Sequence, residues 1–177
     1  MENEKRLKHI VGCFLLMLFV IALDQFTKYL VVKNCEPFEI WKSFFGDLLN
    51  IRLVYNLGAA FSLGSNLTGA FRLLTLLILP VIGILALMFF SLKSKEITIL
   101  QRYLIFGILG GGLGNLIDRF FRKDGVVDFI DVKFFGIFGL ERWPTFNVAD
   151  MAVIIFGVLL LLFIFLQEKN KTTDKIK

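Results

Sequence analysis

Four long apolar runs dominate the chain and set its predicted architecture. They cover approximately residues 11–32, 71–92, 97–121 and 148–166, and few polar side chains interrupt them. A membrane-spanning helix needs about 20 mostly apolar residues, so each run is long enough to cross a bilayer. We therefore predict an all-α polytopic membrane protein, with four transmembrane helices in a single domain formed by residues 1–177.

Lysine and arginine are concentrated at the two termini and in the connection 93–102, whereas the longer connections, 33–70 and 122–147, carry them less densely. Cytoplasmic segments of membrane proteins carry an excess of basic residues. This bias predicts that both termini and the short connection are cytoplasmic, and that the two long loops lie outside. The net charge of +5 is thus a topology signal, and no nucleic-acid partner is needed to explain it.

The first outer loop is predicted to contain a short helix and then a strand. Residues 37–47 mix aromatic and charged side chains, which is typical of a helix lying in the membrane interface with Trp41 at headgroup depth. Residues 49–55 alternate between apolar and polar types, and this alternation favours a strand.

The second outer loop has the composition of a small β structure. It contains Asp124–Gly125, a dipeptide typical of hairpin turns. The segments 126–132 and 133–138 that follow are rich in β-forming residues. We therefore predict a small extracytoplasmic β element beside the four helices.

Polar side chains from separate parts of the sequence are predicted to meet at the outer face of the membrane. Ionisable groups inside membrane segments are costly and are therefore candidates for function. The polar residues that we expect to meet are Asp24 and Lys28 in the first helix, Asn115, Asp118 and Arg119 at the end of the third, Asp128 and Asp131 in the second outer loop, and Asn147 and Asp150 at the start of the fourth. This convergence predicts a functional site at the outer face.

Each of these residues also has a purely structural interpretation. Asp24 and Lys28 are four positions apart on one helix face, so they can simply form an ion pair. Asp150 can cap the fourth helix, or can be a first-turn acid favoured by the helix dipole. Asp118 and Arg119 can anchor the third helix at the interface, and we favour that role for Asp118.

The remaining polar positions near this face have ordinary explanations as well. Asp124, Asp131 and Glu141 are expected to be solvated loop acids, and Asp128 taken alone could be another. A cluster of glycines in the third helix is expected to allow close helix packing. These glycines are Gly110, Gly111, Gly112 and Gly114.

Residue chemistry narrows the possible catalytic mechanisms. The single histidine, His9, is predicted on the cytoplasmic side, so Ser62 and Ser65 have no histidine partner. No ligand cluster predicts a metal, and no cofactor is expected. The catalytic candidate that remains is a pair of aspartates at a water-accessible interface. Two nearby carboxyls share a proton and can then activate water and protonate a carbonyl. The spacing alone does not decide which acid of the outer loop partners Asp150.

Five short blocks occur in a recognisable order along the chain. They are Asp24-Gln-Phe-Thr-Lys28, Asn56-Leu-Gly-Ala-Ala-Phe61, Gly114-Asn-Leu-Ile-Asp-Arg119, Val127-Asp-Phe-Ile-Asp131 and Phe146-Asn-Val-Ala-Asp150. With these blocks, over about residues 8–168, the chain resembles the bacterial lipoprotein signal peptidases. This family, also called signal peptidase II, consists of aspartic endopeptidases of the cytoplasmic membrane.

The resemblance implies roles for particular residues and a substrate class. Asp128 and Asp150 match the catalytic aspartates of the family, which selects Asp128 among the loop acids and assigns Asp150 more than a capping role. The residues that line or brace the site would be Asp24, Lys28, Asn56, Gly58, Asn115, Arg119 and Asn147. The implied substrate is a prolipoprotein whose cysteine already carries a diacylglyceryl group, and cleavage falls just before that cysteine. We expect a monomer in contact with membrane lipid, in the bacterial inner membrane, with its active site near the outer face.

Two other functions compete with this interpretation. A small proton-coupled transporter could use Asp24, Lys28 and Asp150 as a relay, but the sequence lacks the internal repeats and interrupted midplane helices usual in transporters. A non-catalytic membrane scaffold would leave the gathering of costly polar groups on one face without explanation. An assay for peptide cleavage distinguishes the peptidase hypothesis from both alternatives.

Overall fold

The computed structural model of the chain describes residues 2–58 and 67–176, and four long helices form its frame. Each helix contains an apolar window long enough to cross a membrane, so the prediction of four spanning helices is confirmed for this part of the chain. The helices are α1 (Glu2–Asn34), α2 (Gly69–Lys93), α3 (Ile99–Phe121) and α4 (Val148–Ile176).

Helix α3 lies at the centre of the bundle because its glycines let the other helices approach. A Cβ at Gly110 would meet the Met17 carbonyl of α1 at 2.9 Å, and one at Gly111 would collide with the Ala149 carbonyl of α4. A Cβ at Gly112 would contact the side chain of Ile84 in α2 at 3.0 Å. The expectation that these glycines allow close packing is therefore confirmed.

Helix α2 is the most peripheral of the four. Only Leu76 and Ser91 are buried along it, so most of its apolar surface faces outward. Its N-terminal part contains a π-helical turn, Leu74–Ile78, before regular α-helix resumes. Such turns interrupt the regular hydrogen-bond ladder and are frequent near functional sites.

An antiparallel sheet of four strands covers one end of the bundle. The strands are β1 (Ile40–Phe44), β2 (Leu49–Asn56), β3 (Val126–Ile137) and β4 (Leu140–Arg142), paired in chain order. The sheet packs against the C-terminal end of α1, where Val31 and Cys35 meet the buried side chains of Leu53, Val127 and Phe129. The strand predicted at residues 49–55 is confirmed as β2.

The predicted interfacial helix at residues 37–47 is wrong. This segment contains β1, which pairs with β2, and a turn in which Phe45, Gly46 and Asp47 all have positive φ. The mixture of aromatic and charged residues that suggested an interfacial helix suits an exposed edge strand equally well. Pairing with β2 satisfies the backbone of the segment, and β2 is itself paired with β3, which is distant in sequence.

The predicted hairpin at Asp124–Gly125 is also wrong. These residues join the end of α3 to β3, and Gly125 takes a φ of 103° while it packs against the Asn56 carbonyl. Instead of two strands, residues 126–137 form the single strand β3. The hairpin turn comes later, at Phe138–Gly139, between β3 and β4.

Candidate active site

The two aspartates Asp128 and Asp150 line one cavity where the sheet meets the helix ends. Asp128 lies near the start of β3, and Asp150 lies in the first turn of α4. The cavity has a volume of about 310 Å³ and is also lined by Asn56, Asn115 and Arg119. Residues far apart along the chain therefore meet at one site, as the sequence predicted.

Asp150 is held in place by the start of its own helix. The backbone N–H of Asp150 donates to Asn147 Oδ1 at 2.9 Å, and the backbone N–H of Asn147 donates to Asp150 Oδ2 at 3.1 Å. This reciprocal pair is a capping box in which Asp150 takes the position usually held by glutamate or glutamine. The first-turn interpretation of Asp150 is thus correct, but the same side chain also faces the cavity.

Three asparagines donate amide hydrogens to the two carboxyls. Asn56 Nδ2 donates to Asp128 Oδ2 at 3.0 Å, and Asn147 Nδ2 donates to Asp128 Oδ1 at 2.7 Å. Asn115 Nδ2 donates to Asp150 Oδ1 at 2.7 Å. Together with the backbone bond of the capping box, these contacts give every carboxylate oxygen of the two residues one N–H donor.

The orientation of two of these amides, those of Asn115 and Asn56, follows from the donor that contacts the side-chain oxygen. Lys28 Nζ donates to Asn115 Oδ1 at 3.0 Å, and an ammonium group can only donate. The Asn115 amide nitrogen must therefore point away, toward Asp150. In the same way, the backbone N–H of Gly58 contacts Asn56 Oδ1 at 2.9 Å and turns the Asn56 nitrogen toward Asp128.

Lys28 is fully buried and joins α1 to α3. Its ammonium group lies 2.9 Å from Asp24 Oδ2 and 2.9 Å from Asp118 Oδ2, in addition to its contact with Asn115. All three N–H donors of the lysine therefore have an acceptor. The predicted Asp24–Lys28 pair is confirmed, and Asp24 Oδ1 also accepts the backbone N–H of Ala149 in α4.

Asp118 is not an interfacial anchor, which corrects the interpretation favoured from the sequence. It is fully buried and accepts hydrogen bonds from Arg122 Nε at 3.1 Å and from the backbone N–H of Val127 at 3.1 Å. The Val127 contact ties α3 to the residue that precedes Asp128. Gln25 completes the cluster, donating to Asp24 Oδ2 and Asp118 Oδ1.

Arg119 approaches the cavity from α3 and contacts the chain just after the end of β2. Its Nη2 donates to the Gly58 carbonyl at 3.1 Å, while its Nε is buried without a hydrogen-bond partner. The residues that follow Gly58 in the predicted block, Ala59 to Phe61, lie outside the described residues, as do Ser62 and Ser65. Through these contacts, all nine site residues predicted from the sequence belong to one connected cluster.

Burial is the main cause that raises the pKa of Asp128, from 3.8 to about 7. The negative charge of Asp150 in the same cavity adds to this shift, while the hydrogen bonds from Asn56 and Asn147 act in the opposite direction. In residues 2–58 and 67–176, no group of three potential metal ligands lies together.

Comparisons with known proteins agree over most of the chain. A sequence model of the family described as signal peptidase (SPase) II matches residues 16–167. The chain is 56% identical over 145 residues to the lipoprotein signal peptidase of Treponema denticola, covering 82% of this chain and 83% of that protein. It is 46% identical over 172 residues to that of Borrelia turicatae, covering 97% and 98%. The chain belongs to the signal peptidase II family.

Two solved structures of bacterial membrane enzymes, both obtained by the in meso method, share the fold of this signal peptidase II family member. One has a TM-score of 0.74 at 31% identity and covers 92% of each chain. The other has a TM-score of 0.72 at 32% identity and covers 89% of this chain and 94% of its own. Family membership makes the chain a protease of the aspartic type, embedded in the membrane by several helices.

Gln25 is the member of the cluster that sequence reasoning missed in this peptidase, whereas Asp118 was named among the converging residues but was given the wrong role. A signal for Asp118 was present, because Asn115, Asp118 and Arg119 recur at the three- and four-residue spacing of one helix face. Asp131 was also misjudged. It is buried and bound by Arg142 Nε at 2.6 Å, whereas Asp124 and Glu141 are exposed as expected.

Proposed function

We propose that this chain removes the signal peptide from prolipoproteins whose cysteine carries a diacylglyceryl group, by cleaving just before that cysteine. The observation that carries the proposal is the pair Asp128 and Asp150 on one cavity, each oxygen held by an N–H donor. The named relatives, lipoprotein signal peptidases at 46–56% identity, support the substrate class.

In the proposed mechanism, the two carboxyls share one proton around a water molecule. The ionised carboxyl takes a proton from the water, and the protonated carboxyl gives its proton to the carbonyl oxygen of the scissile bond. Because burial raises the pKa of Asp128 to about 7, we assign the role of proton donor to this residue. The tetrahedral intermediate then breaks down as a proton returns to the leaving amine.

The other site residues act as positioning residues in this proposal. Asn56, Asn115 and Asn147 hold the carboxyl oxygens, while Gly58 and Lys28 orient two of those amides. Asp24 neutralises Lys28 and braces the start of α4 through Ala149. Another part of the cavity wall, residues 143–146, runs beside β3 and would contact the substrate backbone.

We further propose that both termini are cytoplasmic and that the cavity opens at the outer face of the bacterial inner membrane. The dense basic residues at the termini and in the connection between α2 and α3 support this orientation. A cavity at the ends of the spanning helices suits a substrate whose acyl chains remain in lipid while its peptide reaches the interface. We propose that the chain works as a monomer in one domain.

The test is cleavage of a diacylglyceryl-modified precursor by purified Asp128→Asn and Asp150→Asn variants. We expect each to lose activity by at least roughly 10²–10⁴-fold, the usual contribution of a positioned acid or base, while uncleaved lipidated precursor accumulates. Asp124→Asn is the matched control, because Asp124 is exposed in the neighbouring turn. Full activity in either variant would refute the assignment.

A further inference from the structure

A second cavity, of about 210 Å³, lies beside the candidate active site and is lined by three arginines. They are Arg72 near the start of α2, Arg119 near the end of α3, and Arg122 just past that end. Among the described residues that line this cavity, no acidic side chain is present. It is separate from the cavity of the two aspartates but shares Asn56 and Arg119 with it.

The arginines of this cavity are only partly neutralised by their neighbours. Arg122 pairs with Asp118, whose other oxygen is already bound by Lys28. Arg119 donates to a backbone carbonyl and has a buried Nε without a partner. Within the part of the chain that the structure describes, Arg72 makes no ion pair. Guanidinium groups in such a place favour an anionic ligand, and their planar donors match the oxygens of a phosphate.

The opposite wall of the cavity is apolar. Leu73, Leu76 and Leu77 line it from the region of the π-helical turn, and Leu57 adds to it from the first outer loop. The cavity also lies where the spanning segments of α2 and α3 end, which is the depth of lipid headgroups. A ligand that satisfies both walls has an anionic phosphate group next to an apolar chain.

We propose that this cavity binds the phosphodiester headgroup of an anionic phospholipid, with an acyl chain along the leucine wall. Basic pockets between transmembrane helices are known to bind lipid headgroups. The proposed substrate does not account for the arginines, because a diacylglyceryl thioether carries no phosphate. Binding of an anionic phospholipid can therefore be tested independently of the peptidase assignment.

The test is native mass spectrometry of the full chain in detergent, titrated with phosphatidylglycerol or with phosphatidylcholine of the same acyl chains. We expect one phosphatidylglycerol to bind per chain in preference to phosphatidylcholine, whose choline cation the arginines disfavour. Arg72→Gln should weaken phosphatidylglycerol binding by roughly tenfold or more, which corresponds to about 1.4 kcal/mol. Lys33→Gln is the matched control, because Lys33 is exposed at the same end of the bundle and does not line the cavity.

Further experiments distinguish binding at this site from a general attraction of anionic lipid to positive charge. Arg72→Lys keeps the charge but loses the planar donors, and should bind phosphatidylglycerol with intermediate affinity; it also serves if Arg72→Gln fails to fold. Equal binding of the two lipids, or an equal effect of the Arg72 and Lys33 substitutions, would overturn the proposal. Displacement of the lipid by inorganic phosphate at matching concentration would also overturn it, because the leucine wall would then contribute nothing.

Discussion

Asp128 should make the protein less stable at high pH than at low pH, and this effect should vanish when the residue cannot ionise. Burial, followed by the charge of Asp150, raises the pKa of Asp128 from 3.8 to about 7 in the folded protein. The folded state therefore holds this proton more tightly than the unfolded chain does. As pH rises from about 4 to 7, the unfolded chain loses the proton first, so the free energy of unfolding falls.

The size of the effect follows from the pKa difference. One pKa unit corresponds to about 1.36 kcal/mol, so ionisation of Asp128 costs the folded state about 4 kcal/mol at pH 8. Asp128→Asn removes this cost. The substitution also places an amide nitrogen against the donor Asn56 or Asn147, at about 1–3 kcal/mol, but that penalty is the same at every pH.

The measurement is the melting temperature of wild type and Asp128→Asn in detergent at pH 4 and pH 8, followed by tryptophan fluorescence. Relative to wild type, the variant should gain about 4 kcal/mol between the two pH values. For a chain of this size that corresponds to roughly 8–16 °C, at about 2–4 °C per kcal/mol. Asp124→Asn should show no such change, because Asp124 is exposed. The reasoning would be refuted if the difference in melting temperature between wild type and Asp128→Asn were the same at pH 4 and at pH 8.

Two further substitutions test the packing that supports the site. Lys28→Met leaves two buried carboxylates without their shared cation and should lower stability by about 3–5 kcal/mol, measured by melting, whereas Lys33→Met at an exposed position should change little. Gly111→Ala should lower the melting temperature, because its Cβ would collide with the Ala149 carbonyl, and a variant as stable as wild type would contradict the packing argument. The control Gly157→Ala has open space for its Cβ and should be neutral or slightly stabilising, by up to about 1 kcal/mol.

The four helices and the identity of the polar cluster could be predicted from sequence because both depend on local composition. A run of apolar residues has to avoid water wherever it lies, so its length alone indicates a span. Likewise, charged residues such as Asp24 and Lys28 inside such a run are costly enough to mark a site without knowledge of their partners. The five ordered blocks then selected Asp128 from the neighbouring acids, which spacing could not do.

Tertiary contacts decided the features that depend on a distant partner. Residues 37–47 have the composition of an interfacial helix, yet they contain β1, because β2 offers a hydrogen-bonding edge that its pairing with the distant β3 holds in place. Asp118 was expected at the membrane surface, yet it is buried because Lys28, from another helix, neutralises its charge. The cost of burying a polar group depends on what it meets in the folded protein, and the order of residues along the chain does not contain that information.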